Sequence, residues 1–218
     1  VIGAGMMGAE IALVFAMAGK SVMLNDTAQE RLDEALKKLS AVLDTGISRK
    51  FWTEEEKLAT LANISPTTNL QDFSDRQMVI EAVFEDAEVK GQVFKKLDKI
   101  LDPNCIVASN TSSISITVLS ANVSEARQKN FVGLHFFSPV HRMKLVEVIN
   151  GMDSSAEALE VATQACKDAG KIPIQVKDVV GFAVNRMLFA LWNEALRLVE
   201  EGACTPEDID IGCKLGLG

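Results

Sequence analysis

The sequence predicts an α/β fold, a doubly wound sheet over most of the chain followed by a shorter all-α segment. Three observations predict it. A short apolar strand, Val1-Ile2, runs into a glycine-spaced turn and then an apolar helix. Strand-like and helix-like runs alternate from there as far as Val176. From Gly181 onward the pattern is helical alone. Such alternation implies a parallel sheet with helices on its faces.

The first turn is Gly3-Ala4-Gly5-Met6-Met7-Gly8, followed by an apolar helical stretch over Ala9–Ala18 with Gly19 as its stop. A short strand, Ser21–Asn25, ends at Asp26. The three glycines have separate uses. Gly3 allows the tight bend, Gly5 lets the backbone approach a pyrophosphate, and Gly8 lets helix and strand pack closely. The helix N-terminus, at Met6 and Met7, offers amides and a dipole that favour an anion. This spacing alone is a weak signal. Set between strand and helix, with an acid about 20 residues on, it points to a dinucleotide and a Rossmann-like domain. Asp26 favours NAD, because a carboxylate accepts from both ribose hydroxyls and repels a 2′-phosphate.

Residues Thr27–Leu61 read as helical and charged, with Leu32, Leu36, Leu39 and Leu43 at helical spacing. Thr53 and Glu56 form a capping box. The plain reading is a solvated helical hairpin; the other is that Arg49, Lys50 and Lys57 meet phosphates of a second ligand. Strands follow at Asn63–Thr67 and Met78–Val83, a helix at Glu88–Ile100, and a strand at Cys105–Ala108. Ser109-Asn110-Thr111-Ser112-Ser113 then falls where open sheets bind ligands, although it also reads as a polar turn. A helix at Ala156–Ala169 and a strand at Ile172–Val176 complete the first domain, residues 1–178. Lys177–Val180 is the linker to residues 179–218, which carry helices at Gly181–Glu201 and after Thr205-Pro206.

Phe131–Asn150, FVGLHFFSPVHRMKLVEVIN, carries the chemistry. An apolar run leads into His135, a turn centres on Pro139, and a second run, Leu145–Ile149, contains Glu147. A carboxylate among apolar neighbours is costly to bury unpaired, and His135 is its nearest candidate partner. A histidine so held has a fixed tautomer and suits a general base. The alternative is a core histidine near a solvated glutamate.

Composition narrows the partners. A net charge of −8, with no basic cluster denser than Arg49-Lys50, argues against a nucleic-acid surface. No run of eighteen apolar residues and no signal peptide is present. The four cysteines, at 105, 166, 204 and 213, follow neither metal nor disulfide spacing. No metal is expected, and the setting is reducing: cytoplasmic, or a mitochondrial or peroxisomal matrix. The chain starts on the tail of a strand and ends on LGLG, so further residues are expected at both ends.

Taken together, GAGMMGAEIA, IEAVFEDAEVK, SNTSS, HFF-P-V with MKLVEVI, and GFAVNR resemble the L-3-hydroxyacyl-CoA dehydrogenase family, in the same order and over essentially the whole chain. The resemblance implies NAD as cofactor, an acyl-CoA substrate, a role in fatty-acid β-oxidation, and a helical C-terminal domain, cut short here, that dimerises. It makes His135 the catalytic base and Glu147 its partner. It places Ser112 and Asn185 on the substrate oxygen, with Ser112 also near the nicotinamide. Glu85, Lys90 and Ser138 join Gly3, Gly5, Met6, Met7, Gly8 and Asp26 around the cofactor; the phosphate-binding reading of the cations at 49, 50 and 57, not the resemblance, gives Lys50 to the substrate. Ser138 replaces the family's usual Asn, a change associated with multifunctional fatty-acid oxidation proteins. Three other readings stand beside this one: a β-hydroxyacid dehydrogenase of the 6-phosphogluconate type, which uses a catalytic Lys and which the His-Glu pair speaks against; a non-enzymatic, crystallin-like protein on the same fold; and an inactive fragment of a multifunctional enzyme.

Overall fold

The computed structural model describes residues 1–217, in two compact units: Val1–Val179, and a second that begins at Val180. The first unit contains α1 (Met6–Met17), β1 (Val22–Asn25), α2 (Gln29–Ser48), α3 (Glu54–Ala62), β2 (Ile64–Thr67), β3 (Met78–Glu81), α4 (Ala87–Asp98) and β4 (Ile106–Ser109). It continues with α5 (Ile116–Ser120), α6 (Glu125–Gln128), β5 (Phe131–Phe136), β6 (Leu145–Asn150), α7 (Ala156–Asp168) and β7 (Ile172–Lys177). The second unit contains α8 (Val184–Glu200) and α9 (Pro206–Gly212). Among the described residues, no helix is long and apolar enough to cross a membrane.

Strands β3-β4-β5-β6-β7 form one hydrogen-bonded run and β1-β2 another. Ile2 joins them, bridging Asn25 on one side and Glu81 on the other. Its amide donates to Ile80 (2.9 Å) and its carbonyl accepts from Ala82 (2.8 Å). Strand order therefore reverses at Ile2, which opens a crevice at the carboxyl edge of the sheet.

One expectation needs correction. The sheet is doubly wound, but β5 and β6 pair antiparallel, so β6 and β7 run against the rest. The reason is chain length. Residues 137–144, eight in all, join β5 to β6, whereas a parallel crossover needs roughly a dozen or more.

Strand side chains alternate between the two faces. Ile80, Ala108, Val132, Leu134, Val146 and Val148 enter one core with α1, α2 and α7. On the opposite face, Phe94 of α4 meets Phe131 edge-on with ring centroids 4.8 Å apart. Each such fully buried ring contributes roughly 1.5–3 kcal/mol. By the same alternation Glu81, Ser109, His135 and Glu147 belong to this second face, toward α4 and α5.

Helix boundaries follow local chemistry. The α3 capping box forms as expected: Glu56 N–H donates to Thr53 Oγ1 (3.1 Å), and Thr53 N–H donates to Glu56 Oε2 (2.7 Å). Helix α1 starts at Met6, ahead of the expected Ala9. Helix α8 starts at Val184, later than the expected Gly181, because Phe182 is left-handed (φ 48°) and cannot sit inside a right-handed helix.

Just beyond β7, Asp178 caps α5 from a distance. Its carboxylate accepts from the hydroxyls of Ser115 and Thr117 (both 2.7 Å) and from the amides of Thr117 (2.9 Å) and Ile116 (3.2 Å). Partial burial pushes its pKa up, but these bonds outweigh burial and hold it below the ordinary aspartate value. A depressed folded-state pKa contributes stability that is present above the ordinary value, about 3.9, and lost as pH falls through the folded one. Asp178→Asn should therefore lower unfolding free energy at pH 7 by about 1–2 kcal/mol, discounted for partial exposure. Urea titrations should show that deficit shrinking as the pH drops below the ordinary aspartate value toward the depressed folded-state one.

Candidate active site

The site follows the carboxyl edge of the sheet. At Gly3 φ is 99°, and a Cβ there would stand 2.7 Å from the Ala82 carbonyl oxygen. A Cβ on Gly8 would overlap the Gly3 carbonyl oxygen at 1.9 Å, so only glycine lets α1 start this close to the turn. Gly5 is the N-cap of α1, and the next two residues, exposed Met6 and half-buried Met7, begin the helix. The first-turn amides of a helix have no carbonyl one turn back.

Asp26 follows β1. Its carboxylate accepts from the amides of Ala4 (2.9 Å) and Thr27 (2.7 Å), and the Arg31 guanidinium lies 3.5 Å away. Together with Val83 and Phe84, this glycine turn and Asp26 line a cavity of about 790 Å³. A cradle that a Cβ would fill, a helix N-terminus and a carboxylate at the end of the next strand fit NAD.

A buried charge cluster lies beyond β3. The Lys90 ammonium, with no exposed surface, sits 2.7 Å from Glu81 and 3.2 Å from Glu85. Glu81 also accepts from the Ser109 hydroxyl (2.6 Å) and the Val83 amide (2.7 Å). Burial raises its pKa, and Lys90, Ser109 and Val83 offset that only in part. Glu85 accepts from the Thr111 hydroxyl and the Ser112 amide (2.8 Å). Burial pushes Glu85 up as well, but Thr111, the Lys90 charge and Ser112 together hold it below the ordinary value. Lys90 thus acts on the Ser112 loop through Glu85.

The next strands bring the central pair together. His135 and Glu147 are direct cross-strand partners in the antiparallel ladder. Nδ1 of His135 lies 2.7 Å from Glu147 Oε2, with both residues buried. An ionised carboxylate can only accept, so with Glu147 ionised this contact calls for the proton on Nδ1. The ring of Phe137 packs on the imidazole at 4.5 Å between centroids. Asn110 Oδ1 accepts from the Phe136 amide (2.9 Å), tying the Ser112 loop to the end of β5.

Two expected residues of the first unit, Ser138 and Lys50, lie outside this group. Ser138 is exposed in the turn after Phe137. Lys50, also exposed, follows α2 with φ 62°, while its neighbour Arg49 lines a cavity of about 540 Å³ with Phe51, Trp52, His141 and Arg142. Lys57 is taken up by Asp44. Asn185 lies in the first turn of α8, in the second unit. Among the described residues, no group of three or more His, Cys, Asp or Glu is placed to hold a metal ion.

Sequence reasoning missed Glu81, Arg31 and the His141-Arg142 pair, and took Asn110 only as one member of a polar, ligand-facing turn. Glu81 carried a usable signal: like Glu147, it is a lone carboxylate inside an apolar strand, Met78-Val79-Ile80-Glu81.

Residues 1–179 match the family model for the NAD binding domain of 3-hydroxyacyl-CoA dehydrogenase, and residues 181–218 match its C-terminal domain. The probable 3-hydroxybutyryl-CoA dehydrogenase of Deinococcus radiodurans is 41% identical over 222 residues, covering all of this chain and 77% of that protein. The fatty acid oxidation complex subunit alpha of a Psychrobacter species is 44% identical over 203 residues, covering 93% of this chain but 28% of that much longer protein. A crystal structure of (S)-3-hydroxybutyryl-CoA dehydrogenase from Ralstonia eutropha aligns with a TM-score of 0.95 at 40% identity, over 99% of this chain and 76% of that one. On its glycine cradle, its fold and these matches, the chain belongs to the 3-hydroxyacyl-CoA dehydrogenase family of NAD-dependent oxidoreductases.

Proposed function

We propose that the protein interconverts L-3-hydroxyacyl-CoA and 3-oxoacyl-CoA, with His135 as general base and Glu147 as its partner. The observation that carries this reading is the buried 2.7 Å contact between His135 Nδ1 and Glu147 Oε2 at the crevice edge. NAD, when bound, supplies the hydride acceptor. His135 takes the hydroxyl proton on Nε2, and Glu147 stabilises the imidazolium that forms. A base held in this way contributes roughly 10²–10⁴-fold. Ser112 donates to the substrate oxygen, with Glu85 and Lys90 fixing its loop beside the cofactor. For Asn185, assigned to the same oxygen, the support is its motif, GFAVNR. Gly3, Gly5, Met6, Met7 and Gly8 hold the pyrophosphate, Asp26 the ribose, and Ser138 the nicotinamide side. Lys50 meets the phosphates of the coenzyme A carrier, and the neighbouring cavity lined by Arg49 and Arg142 supports a cationic site there.

Residues 1–178 are then the NAD-binding domain, and residues 179–218 the first part of a helical domain that pairs with a second copy. None of the α8 residues is buried, and Phe189, Leu191, Trp192 and Leu196 are each more than 40% exposed. Apolar patches of that kind mark interfaces, and most homo-oligomers are two-fold dimers.

Three outcomes are expected. With acetoacetyl-CoA and NADH followed at 340 nm, His135→Gln should lower kcat by about 10²–10⁴-fold while leaving NADH affinity nearly unchanged; equal turnover would sink the mechanism. Asp26→Ala should weaken NADH binding and narrow the preference over NADPH, because the group that repels a 2′-phosphate is gone. Wild-type protein that binds NADPH as tightly as NADH refutes the role of Asp26. Sedimentation across a concentration series should show a dimer whose activity falls on dilution below its dissociation constant, and a fully active monomer would count against the pairing.

A further inference from the structure

The turn between β5 and β6 is held by two charges that the proposed chemistry does not use. Glu10 is the lone charged residue of the apolar helix α1, MMGAEIALVFAM. Its Oε2 accepts from the backbone amide of Val140, 130 positions away, and lies 3.2 Å from Nδ1 of His141. Lys171, just before β7, donates its ammonium to the carbonyls of Val140 and Met143 (3.0 Å for the latter). Val140 and Lys171 are buried, and the Glu10 side chain is 14% exposed. Burial lowers the Lys171 pKa, while Cys166 and the Glu10 carboxylate oppose that shift.

Neither charge is required by its own secondary structure. A glutamate in mid-helix caps nothing, and a buried lysine costs free energy unless its donors are taken. What they share is Val140, whose amide one binds and whose carbonyl the other. The gripped turn begins at Phe137, which packs on the imidazole of His135. The helix bearing Glu10 starts at the glycine cradle.

We propose that Glu10 and Lys171 are positioning residues for the dehydrogenase reaction, clamping the β5–β6 turn to the cofactor helix so that His135 is held against the site where NAD binds. The proposal rests on the reading of His135 as base. A sub-ångström to 1 Å misplacement of a reacting group costs up to about 10²-fold in rate, so turnover should respond more than binding.

The test compares Glu10→Ala and Glu10→Gln with wild type, since the amide oxygen of glutamine still accepts from Val140. With acetoacetyl-CoA and NADH, Glu10→Ala is expected to lower kcat about 10- to 100-fold with little change in KM for NADH, and Glu10→Gln to restore most of it. Unchanged kcat in Glu10→Ala, even with a lower Tm, overturns the proposal, as does equal loss in both variants. A second measurement does not depend on turnover. The chain has two histidines, so the low-field Nδ1–H proton signal of His135 can be assigned by NMR with His141→Asn as reference. That signal should broaden in Glu10→Ala and persist in Glu10→Gln; a signal unchanged in Glu10→Ala overturns the proposal. If wild type fails to turn over acetoacetyl-CoA, the functional reading falls, while the NMR comparison still decides the clamp.

Discussion

Two carboxylates with no exposed surface, Glu81 and Glu147, set the constraint that the carboxyl edge of the sheet has to satisfy. A buried charge is tolerated only when paired and hydrogen-bonded, and stripping away its partner costs about 3–5 kcal/mol. Each carboxylate meets that demand with a neighbour on an adjacent element: Lys90 on α4 for Glu81, and His135 on β5 for Glu147. These pairings fix how α4 sits on the sheet and how β5 aligns with β6. The polar pairs of these strands thereby lie on one face, while the other is packed with apolar side chains against α1, α2 and α7.

The parts of the fold that were legible in the sequence are local ones. The glycine turn, the capping box at Thr53 and the leucine spacing of α2 each span a few residues and obey steric or periodic rules. The His135–Glu147 pair was legible for the same reason, because both residues sit in one hairpin. The Glu10–Val140 and Asp178–Ser115 bonds join segments far apart in sequence, and nothing in either segment announces the other. Glu81 and Lys90 lie between these cases. A carboxylate inside Met78–Glu81 signals burial, but its partner comes from a helix whose charged residues otherwise read as solvated.

The sheet direction was misread for a related reason. Strand-helix alternation describes most of the chain and implies parallel pairing, yet direction is settled at each junction by the length of the connection. Eight residues between β5 and β6 leave no room for a crossover. Because β6 runs backward, its beginning, rather than its end, lies at the ligand edge of the sheet.

That reversal bears on how the protein can change by insertion and deletion. The imidazole and its carboxylate are twelve positions apart, and their register comes from the ladder rather than from the turn between them. Residues gained or lost within the turn leave the ladder pairing intact. A single residue gained or lost inside either strand is different, because strand side chains alternate and a slip of one exchanges the faces. Val146 or Val148 would then face the imidazole, and the carboxylate would enter the aliphatic core. Along the arms a length change therefore exchanges the faces, whereas at the tip it spares the pairing and bears instead on the contacts that Glu10 and Lys171 make with Val140.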